Sequence, residues 1–84
     1  MPAAPRQLHV RFFALLREQA GCAELELASA AATPADLYGE LQAVRPLTFP
    51  AGLLRVAINE RYATMTTPLA DGDRVVFIPP VAGG

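Results

Sequence analysis

Apolar and polar residues alternate in several short stretches of the chain, as is typical of strands with one buried face. In residues 8–13, LHVRFF, the apolar Leu8, Val10 and Phe12 fall on one face. Residues 22–28 and 54–60 alternate in the same way. Residues 74–78, RVVFI, contain four consecutive apolar residues, which predicts a central strand covered on both faces. A further short strand is predicted after a turn at Asn59 and Glu60.

Two segments between the strands have helical patterns instead. Residues 14–20, ALLREQA, are good helix formers, and Gly21 after them is typical of a helix C-terminus. A longer helix is predicted from Pro34 to Arg45, because Thr33 is a favourable N-cap and proline suits the first helical position. Pro46 ends it. The apolar residues expected on its buried face are Leu37, Tyr38, Leu41 and Val44.

This order of elements predicts an α+β domain of two layers, in which the long helix covers one face of the sheet. The first two strands are close enough in sequence to pair antiparallel. A chain of 84 residues forms a single domain, which we expect to occupy residues 1–78. We expect residues 79–84 to form an extended, flexible C-terminal tail.

Composition and charge exclude several classes of function. The apolar fraction of 52% is ample for a core, and 18% charged residues is low, so apolar surface is expected to remain for a partner. A net charge of −1 argues against nucleic acid. We find no apolar run long enough for a membrane span and no signal-peptide pattern, which predicts a cytoplasmic protein. One cysteine and one histidine cannot build a disulfide framework or a Cys/His metal cage, so no metal site is expected.

The predicted tail, PPVAGG, is the segment with the clearest chemistry. Pro79 and Pro80 lack N–H donors, so strand pairing must end there, and both prolines favour extended backbone. Six extended residues reach at most roughly 20 Å. Val81, Ala82 and Gly83 are small enough for a narrow channel, and the carboxylate of Gly84 is unhindered. Activated as an acyl-adenylate, that carboxylate can accept sulfur and become a thiocarboxylate.

These features together resemble the ubiquitin-like sulfur carriers, and most closely the small subunits of molybdopterin synthase. The similar stretches are VRFFALLREQAG (10–21), the TPADL helix start, and VAINERYATMTTPLADGDRVVFIPPVAGG (56–84). The resemblance implies a ubiquitin-like β-grasp fold, with a mixed sheet covered on one face by a helix.

The resemblance also implies a mechanism and a set of partners. An E1-like enzyme uses ATP to adenylate Gly84, and a cysteine desulfurase or rhodanese supplies sulfur for the thiocarboxylate. The tail then enters the large subunit of molybdopterin synthase and gives sulfur to cyclic pyranopterin monophosphate, within a heterotetramer. The carrier is a non-catalytic sulfur-donor subunit, it binds no cofactor of its own, and it contacts neither nucleic acid nor membrane.

Partner contacts are expected on the sheet face that the helix leaves bare. Alternation places Phe13 opposite Leu8, Val10 and Phe12, and Ile78 lies beside the tail. We therefore propose Phe13, Ile78 and Arg11 as contacts, against the alternative that Phe13 packs at the rim of the core.

Two alternatives remain open from sequence. The sulfur carrier of the thiamine pathway ends in the same way, although it typically lacks a helix where this chain has residues 14–20. The chain could instead be an inert β-grasp interaction module. Carriers that donate sulfur to tRNA or modify lysines are usually longer and fit less well.

Overall fold

A computed structural model describes residues 5–80 of the chain. None of the helices in this part is long and apolar enough to cross a membrane. A one-turn 3₁₀ helix, Ala51–Leu53, precedes the third strand. The strands are β1 (Arg6–Phe12), β2 (Glu24–Ser29), β3 (Arg55–Ile58), β4 (Arg61–Ala63) and β5 (Arg74–Ile78), and the α-helices are α1 (Ala14–Ala20) and α2 (Pro34–Val44).

The strands form one mixed sheet in the order β2-β1-β5-β3-β4. β1 pairs antiparallel with β2, as predicted, and parallel with β5. Phe12 lies opposite Phe77 at the end of the parallel ladder. The first strand and the last therefore run side by side, and their C-terminal ends lie at the same end of the sheet. Phe13 follows β1 there, and Pro79 follows β5.

The core lies between one face of this sheet and α2. Tyr38 of α2 is fully buried, and its ring centroid lies 5.3 Å from that of Phe77. The sheet contributes the alternate residues of β1, β3 and β5, which confirms the α+β, β-grasp prediction with one covered face. The buried apolar residues of the strands are Leu8, Val10, Phe12, Val56, Val75 and Phe77.

The prediction that β5 is covered on both faces was wrong. β5 is central in the sheet, with Val75 and Phe77 fully buried, but Val76 and Ile78 are only half-buried. A run of apolar residues cannot distinguish a face covered by the protein's own helix from a face left for a partner.

The second correction concerns the end of α2. The helix begins as predicted, with the Thr33 hydroxyl accepting a hydrogen bond from the Asp36 N–H at 3.2 Å. Val44 was expected on its buried face, but its side chain is 76% exposed. Val44 is the last residue of the helix, and the backbone of Arg45 after it is extended. The core contacts of α2 have ended by this turn.

Two turns fix where β5 begins. Gly72 has a φ of 86°, which suits glycine, and its N–H donates to the Gln7 carbonyl at 2.7 Å. The Asp73 carboxylate accepts from the Ala70 N–H and from the Asn59 side chain, both at 2.8 Å. β5 is thereby tied to β1 and to the β3–β4 turn. The direction in which the chain leaves Ile78 is set by these ties and by the parallel ladder.

Candidate functional site

The site is the end of the sheet at which β1 and β5 finish and the predicted tail begins. Pro79 is buried and Pro80 is exposed, so the first proline packs on the domain and the second leaves it. Of the predicted tail residues, Val81, Ala82, Gly83 and Gly84 lie outside the described residues. Their proposed roles therefore stay predictions, as does the division into residues 1–78 and 79–84.

An apolar groove of about 400 Å³ lies beside this exit. We call it the tail-root groove. It is lined by residues 13–15, Phe49 and residues 78–80. Phe13 and Leu15 are 41% and 45% exposed, so both present apolar surface to solvent. The groove can accept apolar side chains.

The entrance to α1 is held in an unfavourable backbone conformation. Ala14, its first residue, has a φ of 50°, in the left-handed region that costs a non-glycine residue about 1–2 kcal/mol. The Phe13 residue before it is extended. Such conformations persist where surrounding structure enforces them, and they concentrate at functional sites. Here the turn lies in the lining of the tail-root groove.

The bare face of the sheet brings together the three residues predicted as partner contacts. The Arg11 guanidinium lies 5.0 Å from the centre of the Phe13 ring, within cation–π range. Arg11 also lies opposite Val76 in the parallel ladder. Ile78 is two residues after Val76 on β5 and therefore lies on the same face of the sheet. Phe13, Arg11 and Ile78 thus form one continuous surface. Their role as contacts stays a prediction.

Sequence reasoning missed a further apolar side chain on this face. Tyr62 of β4 lies opposite Ala57, which in turn lies opposite Val76. Its side chain is 83% exposed. A tyrosine in a short strand, one residue from a tight turn, was the available signal. It could be interpreted only once β4 was known to be at the sheet edge.

A charged cluster occupies the same face nearer β2. His9 Nε2 lies 3.0 Å from Glu24 Oε1, and His9 Nδ1 lies 3.3 Å from Glu26 Oε1. Carboxylates only accept hydrogen bonds, so both ring nitrogens must carry protons to satisfy both contacts. Glu24 and then Glu26 raise the pKa of His9 above 6.5, and His9 in turn lowers the pKa of Glu24. Arg11, Arg74 and Glu60 border the cluster.

The described part of the chain offers an apolar groove and a charged cluster. Residues 5–80 contain no group of three or more side chains placed to hold a metal ion. His9 is engaged by two carboxylates, and Cys22 packs partly buried against the core. The arrangement can present the chain exit and bind a partner beside it.

Comparison with known proteins places the chain among relatives. Residues 10–84 match the model of the ThiS family. The molybdopterin synthase sulfur carrier subunit of Escherichia coli K12 is 36% identical over 92% of this chain and 99% of its own length. A chain in the structure of the complex of subunits 1 and 2 of the molybdopterin-converting factor from Helicobacter pylori is 30% identical, with a TM-score of 0.64 over 93% of this chain and 99% of that one.

Another similar structure is the small archaeal modifier protein 1 of Methanosarcina acetivorans. It is 26% identical, with a TM-score of 0.76 over 98% of this chain and 100% of that one. The fold, the order of the elements and the sequence match over nearly the whole chain agree with one another. The chain therefore belongs to the ThiS family, together with the sulfur carrier subunits that it resembles.

Proposed function

We propose that this chain is the sulfur carrier of molybdopterin synthesis, with the carboxyl group of Gly84 as its reactive end. An E1-like enzyme transfers AMP from ATP to that carboxylate and releases pyrophosphate. The persulfide sulfur of a cysteine desulfurase or rhodanese displaces AMP and forms an acyl disulfide with Gly84. A second thiol of the donor then reduces that S–S bond, which releases the thiocarboxylate and leaves a disulfide on the donor. The thiocarboxylate gives its sulfur to cyclic pyranopterin monophosphate in the large subunit. Catalytic groups and ATP belong to the partners, and the reaction is expected in the cytoplasm.

The observation that carries this proposal is the parallel pairing of β1 with β5. It brings the exit of the chain at Pro79 and Pro80 next to the exposed Phe13 and the half-buried Ile78. A protein that binds this surface is placed to receive the residues that follow. The names of the E. coli and H. pylori relatives support the same chemistry and the same kind of partner.

We propose the large subunit as the protein that covers the bare face. Phe13, Ile78 and Tyr62 would contribute apolar contact, and Arg11 would contribute charge at its border. Tyrosine and arginine are enriched among the residues that contribute most to binding at interfaces. In the heterotetramer, two carriers would each dock on one large subunit of a central dimer. Residues 79–84 would then reach the active site as a narrow arm.

Intact mass spectrometry tests the reactive end directly. The chain is incubated with its E1-like enzyme, ATP and a sulfur source, and we expect a mass increase equal to the replacement of one oxygen by one sulfur. Fragmentation should place the change on Gly84. An unmodified chain, under conditions that convert the E. coli carrier, would contradict the proposal.

The acceptor distinguishes this function from its alternatives. We expect the thiocarboxylated chain to convert cyclic pyranopterin monophosphate with the large subunit, but not to support thiazole synthesis with the thiamine-pathway enzymes. The likeness to an archaeal modifier favours one other candidate, attachment of Gly84 to lysines of other proteins. Amide-linked conjugates without pterin sulfuration would support that candidate instead.

A further inference from the structure

We propose that the partner-binding surface continues from the bare face of the sheet into the tail-root groove, and that Tyr38 fixes the groove's outer wall. The occupant is an apolar surface of the protein that receives the tail, the large subunit of the proposed function. The inference rests on that function, but it concerns residues on the helical side of the chain exit. Those residues are Leu15 and Phe49.

The loop that carries Phe49, which lines the groove, is held in place by hydrogen bonds. The Tyr38 hydroxyl donates a hydrogen bond to the Phe49 carbonyl at 2.8 Å. Burial raises the pKa of that hydroxyl above 10.0, so it remains a donor at neutral pH. The Tyr38 ring is fully buried and packs at a tilt on Phe77 of β5. One side chain therefore links α2, the strand that ends at the chain exit, and the loop that carries Phe49.

A second pair of hydrogen bonds ties the same loop to α1. The Gln19 amide nitrogen donates to the Thr48 hydroxyl at 2.9 Å, and the Thr48 N–H donates to the Gln19 amide oxygen at 3.0 Å. Phe49 follows directly in sequence. The loop is thus held from both helices, and Phe49 lines the groove together with residues 78–80. Such pre-organisation lowers the entropy cost of binding.

The identity of the occupant follows from what lines the groove. Pro79 and Pro80 form part of its wall, so a protein that encloses the residues after Pro80 comes directly beside the groove. Its lining is apolar in every residue, and Leu15 presents nearly half of its side-chain area to solvent. An apolar surface on the receiving protein would remove this area from water. A charged surface would be desolvated there without a partner.

A matched pair of variants tests the groove. Leu15 and Leu53 are both exposed leucines, at 45% and 60%, but only Leu15 lines the groove. We expect Leu15→Ser to weaken binding of the large subunit from the same organism about tenfold or more, as at an interface anchor. Leu53→Ser should leave binding unchanged. Equal affinities for the two variants would overturn the proposal.

Tyr38 is tested as a positioning residue by a double-mutant cycle. Tyr38→Phe removes only the hydroxyl and should weaken binding several-fold at a temperature where both proteins remain folded. In a Phe49→Ala background the same substitution should have no further effect, because the side chain that it positions is gone. An unchanged affinity for Tyr38→Phe, or an equal loss in both backgrounds, would overturn the role.

The two levels of the proposal fail in different ways. If the wild-type chain neither gains sulfur nor binds the large subunit, the proposed function is wrong. If it does both while Leu15→Ser behaves like Leu53→Ser, only the groove is wrong. Thermal unfolding of each variant separates a loss of binding from a loss of folding, since Leu15 makes no large contribution to the core.

Discussion

At the scale of single residues, His9 is the group whose charge depends most directly on its surroundings. Glu24 and Glu26 from β2 face its two ring nitrogens. Arg74 of β5 lies opposite it in register, and Arg11 and Glu60 complete the charged surroundings. The alternation of residues 8–13 puts His9 on the face opposite Leu8, Val10 and Phe12, but it does not identify the groups that His9 contacts. Its partners became visible when β2 was placed beside β1.

This arrangement predicts how stability depends on pH. The folded pKa of His9 is raised, so its stabilising contribution is full below about 6.5 and is lost as pH rises through the folded value. The contribution of Glu24, whose pKa is lowered, is lost as pH falls through its own folded value. The stability difference between wild type and His9→Gln should therefore shrink on going from about pH 6 to about pH 9.

An NMR titration of the His9 ring measures the raised pKa on which this pH dependence rests. We expect its pKa above 6.5 in the wild type, a fall toward 6.5 in Glu24→Gln, and a smaller fall in Glu26→Gln, the weaker of the two causes. A wild-type pKa at or below 6.5 would contradict the contacts.

At the scale of secondary structure, α2 contains one residue that weakens it without a packing reason. Gly39 is exposed within the helix, and a Cβ added there would meet nothing within 4 Å. Among the described residues, this glycine therefore does not allow any close approach to α2. The helix instead depends on its Thr33 cap and on the burial of Leu37, Tyr38 and Leu41.

Gly39→Ala should therefore stabilise the protein. We expect the free energy of unfolding to rise by about 1 kcal/mol, because alanine loses less backbone entropy in a helix, and the melting temperature to rise by about 4–8 °C. Ala43→Gly, at another exposed position of α2, is the matched control and should lower stability by a similar amount. Denaturant unfolding measures both. A loss of stability in Gly39→Ala would show that the glycine has a role that the structure does not explain.

At the scale of the whole molecule, folding and the proposed sulfur transfer would use different parts of the chain. The core is assembled from residues 8–77, and Pro79 is the last residue packed against it within the described range. The proposed reactive group is at Gly84. Changes there should affect chemistry and leave folding intact.

We expect deletion of Gly84, or addition of one alanine after it, to abolish sulfur transfer while the melting temperature stays nearly unchanged. Gly83→Leu should block delivery by steric clash in a narrow channel, and Gly83→Ala should be milder. Pterin sulfuration and thermal unfolding are measured on the same preparations. Full activity of Gly83→Leu would contradict the channel, and a large loss of stability on deleting Gly84 would assign the tail a structural role.

The local pattern of the sequence was sufficient for the elements themselves. Strand alternation, the Thr33 cap, Gly21 and the two prolines act over a few residues, so α1, α2 and the five strands could be placed with errors of one or two residues. The α+β class followed from their order. The resemblance then supplied the β-grasp topology and the proposed chemistry of Gly84, which no spacing within the chain could give.

Only the tertiary structure decided which apolar residues form the core and which form a surface. Val44 continues the buried pattern of α2 yet is exposed. β5 has four consecutive apolar residues, yet those on one of its faces are only half-buried. Tyr62 lies on the bare face because β4 pairs with β3. Phe49 lies in the groove on a loop that accepts a hydrogen bond from Tyr38. The hydrophobicity of a side chain indicates that burying it is favourable. Whether it is buried within its own chain or left for a partner depends on contacts between residues distant in sequence.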